Sequence, residues 1–290
     1  MKRVITLLGL LAGVSGVANA ETLWVYGVNE HGGWYDANKD KEVSNNNMCW
    51  AAVSSNLINW WQSQYDVSNA SYRYIPKGDE VWAKYNNYVL DPNEVGDIRM
   101  GLEWWLSGNG WGYFKDNNGW SYGGFYEKYV EDNDIYYDEL YVRFVEGNAT
   151  QLTNYLRDTL SSESSRQGIG LNIVGHGITL WGVEFTDPQT IEAVWVTDSD
   201  DVYTSAGDRG LFRVSVVYNT DGTMSLAGPS SEDGYYQGEK RIDSFTIIDA
   251  VQTDAWGMPR IELTPPVPEP TTATLSLLAL AGLAARRRRR

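Results

Sequence analysis

Cys49 is the only cysteine in this 290-residue chain. No internal disulfide can form, so the fold has to rest on its buried core. The cysteine lies in residues 45–61, which read as one helix. Asn45, Asn46 and Asn47 precede it and offer capping side chains. Behind it Ala52, Val53, Asn56, Leu57, Trp60 and Trp61 recur at helical spacing as a largely apolar stripe. In the first turn of a helix, unpaired backbone N–H groups and the helix dipole favour a thiolate. Two readings of Cys49 follow from this stretch: a small inert core residue, or a nucleophile.

Both chain ends carry sorting features. Lys2 and Arg3, an apolar run over 4–17 and Ala18-Asn19-Ala20 form the three parts of a secretory signal, so residues 1–20 are expected to be removed. At the other end Val267-Pro268-Glu269-Pro270 leads into an apolar run over 271–285 and five arginines, Arg286 to Arg290. That run is short for a bilayer span, and the arginines would hold its end on the cytoplasmic side. The order of parts resembles the PEP-CTERM sorting signal of Gram-negative bacteria, which implies an exosortase-type processing partner. The expected division is therefore a signal peptide at 1–20, a folded domain at 21–264 and a sorting tail at 265–290. The expected location is secreted or at the surface of a Gram-negative cell, with membrane contact only through the uncleaved tail.

The whole chain carries a net charge of −15 from 23 basic and 38 acidic residues. Two of the basic residues lie in 1–20, and five more, with one acid, in 265–290. That leaves 16 against 37, or −21, on the domain. So acidic a body excludes nucleic acid and anionic membrane surfaces as natural partners.

Residues 22–28 read as a strand, and helical periodicity marks 79–90, 95–106 and 150–162. Between them, 107–124 is a long Gly-, Asn- and Trp-rich loop, a type that is often functional. Strands are expected at 170–174, 178–185, 193–197, 211–218 and 245–251. Helices first and strands later predict an α+β arrangement around one core. Gly168-Ile169-Gly170 lacks the third glycine and following helix of a dinucleotide site. Asp36, Asn38, Asp40 and Glu42 alternate as a calcium loop does, but Lys41 and Asn47 stand where glycine and glutamate are needed.

There are two histidines, His31 and His176. His176 is flanked by Gly175 and Gly177, which allow close approach of a backbone or a substrate. One strand later, acids gather in Asp198-Ser199-Asp200-Asp201. A thiol on a helix N-terminus, a histidine on a strand and a carboxylate on the next supply a nucleophile, its base and the base's orienter. Equally, His176 reads as a satisfied core histidine and Asp198 as a solvated turn acid. One cysteine and two scattered histidines do not make a zinc site.

Gly33-Trp34-Tyr35-Asp36, Lys39 ten positions before Cys49, and a helix running on to Asn59-Trp60-Trp61 form one block. His176, the run from Ile178 to Phe185 and Val196-Thr197-Asp198-Ser199-Asp200 form a second, with 22 positions between His176 and Asp198. Together, over about 33–64 and 170–201, the blocks resemble the Mac family of cysteine endopeptidases, IgG-degrading enzymes with a papain-like fold. The resemblance implies Cys49 as nucleophile, His176 as base, Asp198 as its orienter and Asp200 as a supporting acid. It implies that Lys39 serves the oxyanion hole beside the Cys49 N–H. The expected fold is then α+β and papain-like, with the nucleophile at the N-terminus of a core helix packed on an antiparallel sheet. The expected activity is hydrolysis of peptide bonds in an extracellular protein, an immunoglobulin being the family's substrate, with no cofactor and no metal. The alternatives are an extracellular carbohydrate- or surface-binding module, for which 13 Trp and 19 Tyr supply material, and an inactive peptidase-like binder.

Overall fold

The computed structural model describes residues 21–39, 47–67, 74–117, 120–127, 142–162, 165–200, 210–227, 240–249, 261–263 and 266. The signal at 1–20, most of the tail, Asn45, Asn46, Asp40, Lys41, Glu42 and Asp201 lie outside them. Among the described residues no helix is long and apolar enough to cross a membrane.

In chain order the strands are β1 Glu21–Trp24, β2 Asp116–Asn117, β3 Trp120–Ser121, β4 Val142–Glu146, β5 Gln167–Ile173, β6 His176–Asp187, β7 Thr190–Thr197, β8 Phe212–Tyr218, β9 Met224–Leu226 and β10 Lys240–Asp249. The described helices are α1 Cys49–Ser63, α2 Asp79–Tyr88, α3 Ile98–Ser107 and α4 Ala149–Ser161. β5 pairs with β6, β6 with β7, β7 with β8, β8 with β9, β9 with β10 and β10 with β5, every pair antiparallel. Six strands therefore close on themselves as a barrel, with β1 added alongside β6 and β4 alongside β10.

This closed barrel overturns the expected α+β, papain-like architecture: the described chain is mostly sheet, and its four described helices are the minor part. The reason is non-local. Closure passes through β9, three residues long, which joins β8 by Tyr218↔Met224 and β10 by Lys240↔Leu226. A run of three residues has no readable alternation. β4, Val142–Glu146, is likewise absent from the strands expected from the sequence.

The stripe expected on α1 is too narrow. Trp50 to Gln62 are buried on every side, including Ser54, Ser55, Asn56, Asn59 and Gln62. The helix packs on β5 and β6 on one side and on α2 and α3 on the other. Two glycines of β5 let it lie close. A Cβ on Gly168 would stand 2.8 Å from the Trp60 ring, and one on Gly170 3.0 Å from Val53. On the far side a Cβ on Gly96 would fall 2.2 Å from the Trp50 ring. Polar groups sealed into such a helix need partners. Ser54 Oγ donates to the carbonyls of Trp50 and Ile98, 2.8 and 2.9 Å away. Gln62 Oε1 accepts from Trp105 Nε1 and Tyr126 OH at 3.2 and 3.0 Å.

Among the described residues no asparagine caps α1. Met48 is the N-cap and provides no side-chain hydrogen bond. Asn47 instead donates to the Asn93 carbonyl, tying the start of α1 to the segment before α3. The aromatic residues of α3 and the segment after it are largely core among the described residues. Trp104 and Trp105 on α3, and Phe125 and Tyr126 beyond it, are buried, the Trp104 and Phe114 rings stack at 4.1 Å, and Trp111 is exposed. The buried rings are not available to a sugar-binding platform.

Candidate active site

Strand register brings the second sequence block together. In the β6–β7 pair Thr179 lies opposite Thr197, so in an antiparallel ladder His176 at the start of β6 comes level with the residues just beyond β7. The 22 positions between His176 and Asp198 are one hairpin, out along β6 and back along β7. His176 follows a tight connection from β5, with Ile173 paired to His176 and Gly175 at φ 75°. That left-handed backbone favours glycine.

His176 Nε2 lies 2.7 Å from Asp198 Oδ1. Asp198 is 1% exposed and its carboxylate also accepts the Asp200 N–H at 3.0 Å, so it is held on two sides. With Nε2 turned to Asp198, Nδ1 is the nitrogen left for the thiol. It stands 3.7 Å from Asp200 Oδ2. Cys49 begins α1 and is half-buried, with His176 and the Gly177 N–H near enough to act on its thiol. Burial pushes the Cys49 thiol up, but the hydrogen bond and charge of His176, the Gly177 N–H and the Lys39 charge outweigh it, and the net direction is down. Burial pushes the His176 imidazole down, while the charge and hydrogen bond of Asp198 and the contact with Cys49 carry it well above its ordinary value. Opposite shifts in two touching groups favour a thiolate beside an imidazolium.

Lys39 is 3% exposed, and its ammonium pairs with Asp200. Its backbone N–H donates to the Ser199 carbonyl at 3.2 Å. The segment carrying it is pinned from beneath by Asn56. Asn56 Oδ1 accepts the Ala37 N–H at 2.8 Å, and its Nδ2 reaches Thr179 Oγ1 at 3.0 Å and Thr197 Oγ1 at 3.4 Å. Thr197 Oγ1 donates to the Tyr35 carbonyl and accepts from Trp181 Nε1, both at 2.9 Å. One buried network thus fixes α1, β6, β7 and the Tyr35–Lys39 segment in a single arrangement. Sequence reading placed Asn56 in the apolar stripe; a polar residue on a buried stripe was the signal available.

Cys49, His176, Asp198, Asp200 and Lys39 are therefore brought together, while His31 pairs with Glu30 at 3.0 Å on an exposed turn. With the thiolate and imidazolium formed, the group holds two cations and three anions in alternation. His176, Asp198 and Asp200 also offer ligand atoms within 4.8 Å of one another. Asp198 is committed to the imidazole and Asp200 to the Lys39 ammonium, so a metal would have to displace a cation already there. Of the calcium pattern, Asn38 Nδ2 donates to Asp36 Oδ2 at 3.3 Å and Asn47 donates to the Asn93 carbonyl, while Asp40, Lys41 and Glu42 lie outside the described residues.

The chain matches the Mac 1 family model over residues 23–100 and 113–244, far beyond the two blocks that carried the resemblance. Residues 266–290 match the PEP-CTERM protein-sorting motif, which marks a chain for export, surface sorting and exosortase processing in Gram-negative bacteria. Over 235 residues the chain is 26% identical to an IgM protease of Streptococcus suis (strain P1/7), covering 67% of this chain and 20% of that one. It spans about a fifth of the length of that curated relative.

Proposed function

The chain belongs to the Mac 1 family, and from that membership we propose that it is a cysteine endopeptidase acting on an extracellular protein. The observation that carries the proposal is the 2.7 Å contact of His176 Nε2 with the buried Asp198, in a group where His176 and Cys49 shift each other's protonation. In this reading the Cys49 thiolate attacks a peptide carbonyl. The Lys39 ammonium and the Cys49 N–H face the negative charge that builds on its oxygen. His176, held protonated by Asp198, gives its proton to the leaving amine and then takes one from the water that releases the acyl-enzyme. Asp200 keeps Lys39 in place and adds negative charge on the imidazole's thiol side. Every proton in this scheme passes through the His176 imidazole, and the scheme uses no metal or cofactor.

An immunoglobulin is the substrate class proposed, because the relative from Streptococcus suis is named an IgM protease. The proposed mature form lacks residues 1–20, folds over 21–264 and loses or is tethered by 265–290. Arg166 pairs with Glu262 at 2.9 Å, and Asn29 Nδ2 donates to the Pro266 carbonyl at 2.6 Å, so the domain's packing reaches to Pro266, just inside the proposed tail.

The test is incubation of the wild type and Cys49→Ala with IgM, IgG and other extracellular proteins, followed by mass spectrometry of fragments. Fragments with the wild type and none with Cys49→Ala, at unchanged circular dichroism, are expected. Retained cleavage by Cys49→Ala removes the mechanism.

A further inference from the structure

Behind the Tyr35–Lys39 segment lies a pocket of about 280 Å³, walled by that segment, α1 and the start of α2. Its rim is the exposed pair Gly78 and Asp79, and its floor includes Ser55, which is fully buried. No basic side chain lines it among the described residues. Each amide group around it has at least one N–H engaged. Asn56 Nδ2 goes to Thr179, Asn59 Nδ2 donates to the Gly78 carbonyl at 3.1 Å, and Asn38 Nδ2 goes to Asp36. Ser55 Oγ and Asn38 Oδ1 are buried and have no hydrogen-bond partner among the described residues, and Asp36 and Asp79 add carboxylates. The positive end of α2, which would favour an anion, is already matched by Asp79 and Glu80 in its first turn.

Two carboxylates, an unpartnered amide oxygen and the half-buried indole of Trp82, with no basic side chain among the described lining residues, suit a donor-rich cation with an apolar stem. At 280 Å³ the space is too large for a bare ion and suits one long side chain. We infer that the pocket takes a Lys or Arg side chain of the polypeptide being cleaved. The inference rests on the peptidase reading and deepens it. Ser55 lies six residues beyond Cys49 on α1, about 9 Å along the helix axis. An extended peptide advances about 3.3–3.6 Å per residue, so the basic residue sits about three residues from the bond that is cut. The Tyr35–Lys39 segment is the shared wall, so filling the pocket also sets the register of the substrate at Lys39.

The experiment digests a proteome-derived peptide library with the wild type and aligns the cut sites. Lys and Arg should be enriched at one fixed position about three residues from the cut. Matched peptides with Lys or norleucine at that position should differ about fivefold in kcat/KM. Asp79→Asn and Trp82→Ala should each move that ratio toward one. No basic enrichment, or a ratio unchanged in both variants, overturns the inference. Failure of the peptidase reading is separable, because it would appear as no cleavage and no alkylation of Cys49 by iodoacetamide. In that event calorimetry of argininamide with the full-length Cys49→Ala chain decides the pocket. Binding weakened by Asp79→Asn retains the cation site, and no binding, or binding indifferent to Asp79→Asn, removes it.

Discussion

Asn56→Ala tests whether the active-site geometry is held from inside α1. The side chain is 2% exposed, accepts the Ala37 N–H at 2.8 Å and donates to Thr179 Oγ1 at 3.0 Å. Truncation strands the Ala37 N–H in a buried setting, a cost of about 1–3 kcal/mol, and removes a further hydrogen bond worth about 1 kcal/mol. The sum, about 2–4 kcal/mol, is a large fraction of an ordinary stability of about 5–15 kcal/mol. It should appear in urea unfolding as a lower midpoint at unchanged m-value. The functional effect is separate from the stability loss. Ala37 lies two residues before Lys39, so loosening it displaces the ammonium, while His176 and Asp198 keep their own contact. The Cys49 thiol should lose the part of its depression that comes from Lys39. The acid limb of its alkylation by iodoacetamide then moves to higher pH, and kcat on a cleaved protein should fall roughly tenfold. A destabilisation below about 0.5 kcal/mol, or an alkylation profile unchanged while kcat collapses, would refute the idea that this network positions Lys39.

Asp198→Asn should narrow the pH window of cleavage, read as kcat/KM, from both ends. The imidazole loses the charge that raises it, so the alkaline limb moves down, and the weaker imidazolium lets the thiol rise, so the acid limb moves up. A rigid shift of the whole profile in one direction would contradict this. Lys39→Ala should lower kcat by about a hundredfold or more with a smaller change in KM; a change confined to KM would end the oxyanion role. Gly101→Ala should destabilise by about 1–3 kcal/mol, because the new Cβ would fall 2.3 Å from Ser54 Oγ where α3 crosses α1. That strain opposes the gain of about 0.5–1 kcal/mol alanine normally brings to a helix, and a raised melting temperature would show that Ser54 gives way freely.

The sequence determined the local facts. The helix beginning at Cys49 was legible because apolar residues recur at 3.6 spacing behind it, and it runs to Ser63. β6 and β7 were legible from their β-branched and aromatic runs, with Asp187-Pro188 marking the turn between them. The family was legible because its two blocks are dense, contiguous strings, and the family model extends them over most of the chain. Local pattern also misled. The three asparagines look like caps, yet Asn47 is drawn away to Asn93. Gly168 and Gly170 gave no sign that they make room for Trp60 and Val53.

Only the tertiary structure decided what depends on partners distant in sequence. The α+β expectation failed because barrel closure hangs on three residues, Met224 to Leu226, whose pairing with β8 and β10 no periodicity announces. The burial of α1 on every side follows from β5 below and α3 above, neither of which its own stripe specifies. Asn56 became a pin, and Ser55 the floor of an acceptor-lined pocket, through neighbours as far away as Thr197, 141 positions along the chain. A side chain's type fixes which hydrogen bonds it needs. Which groups meet that need, or leave it open for a ligand, is set by the strands and helices that fold against it.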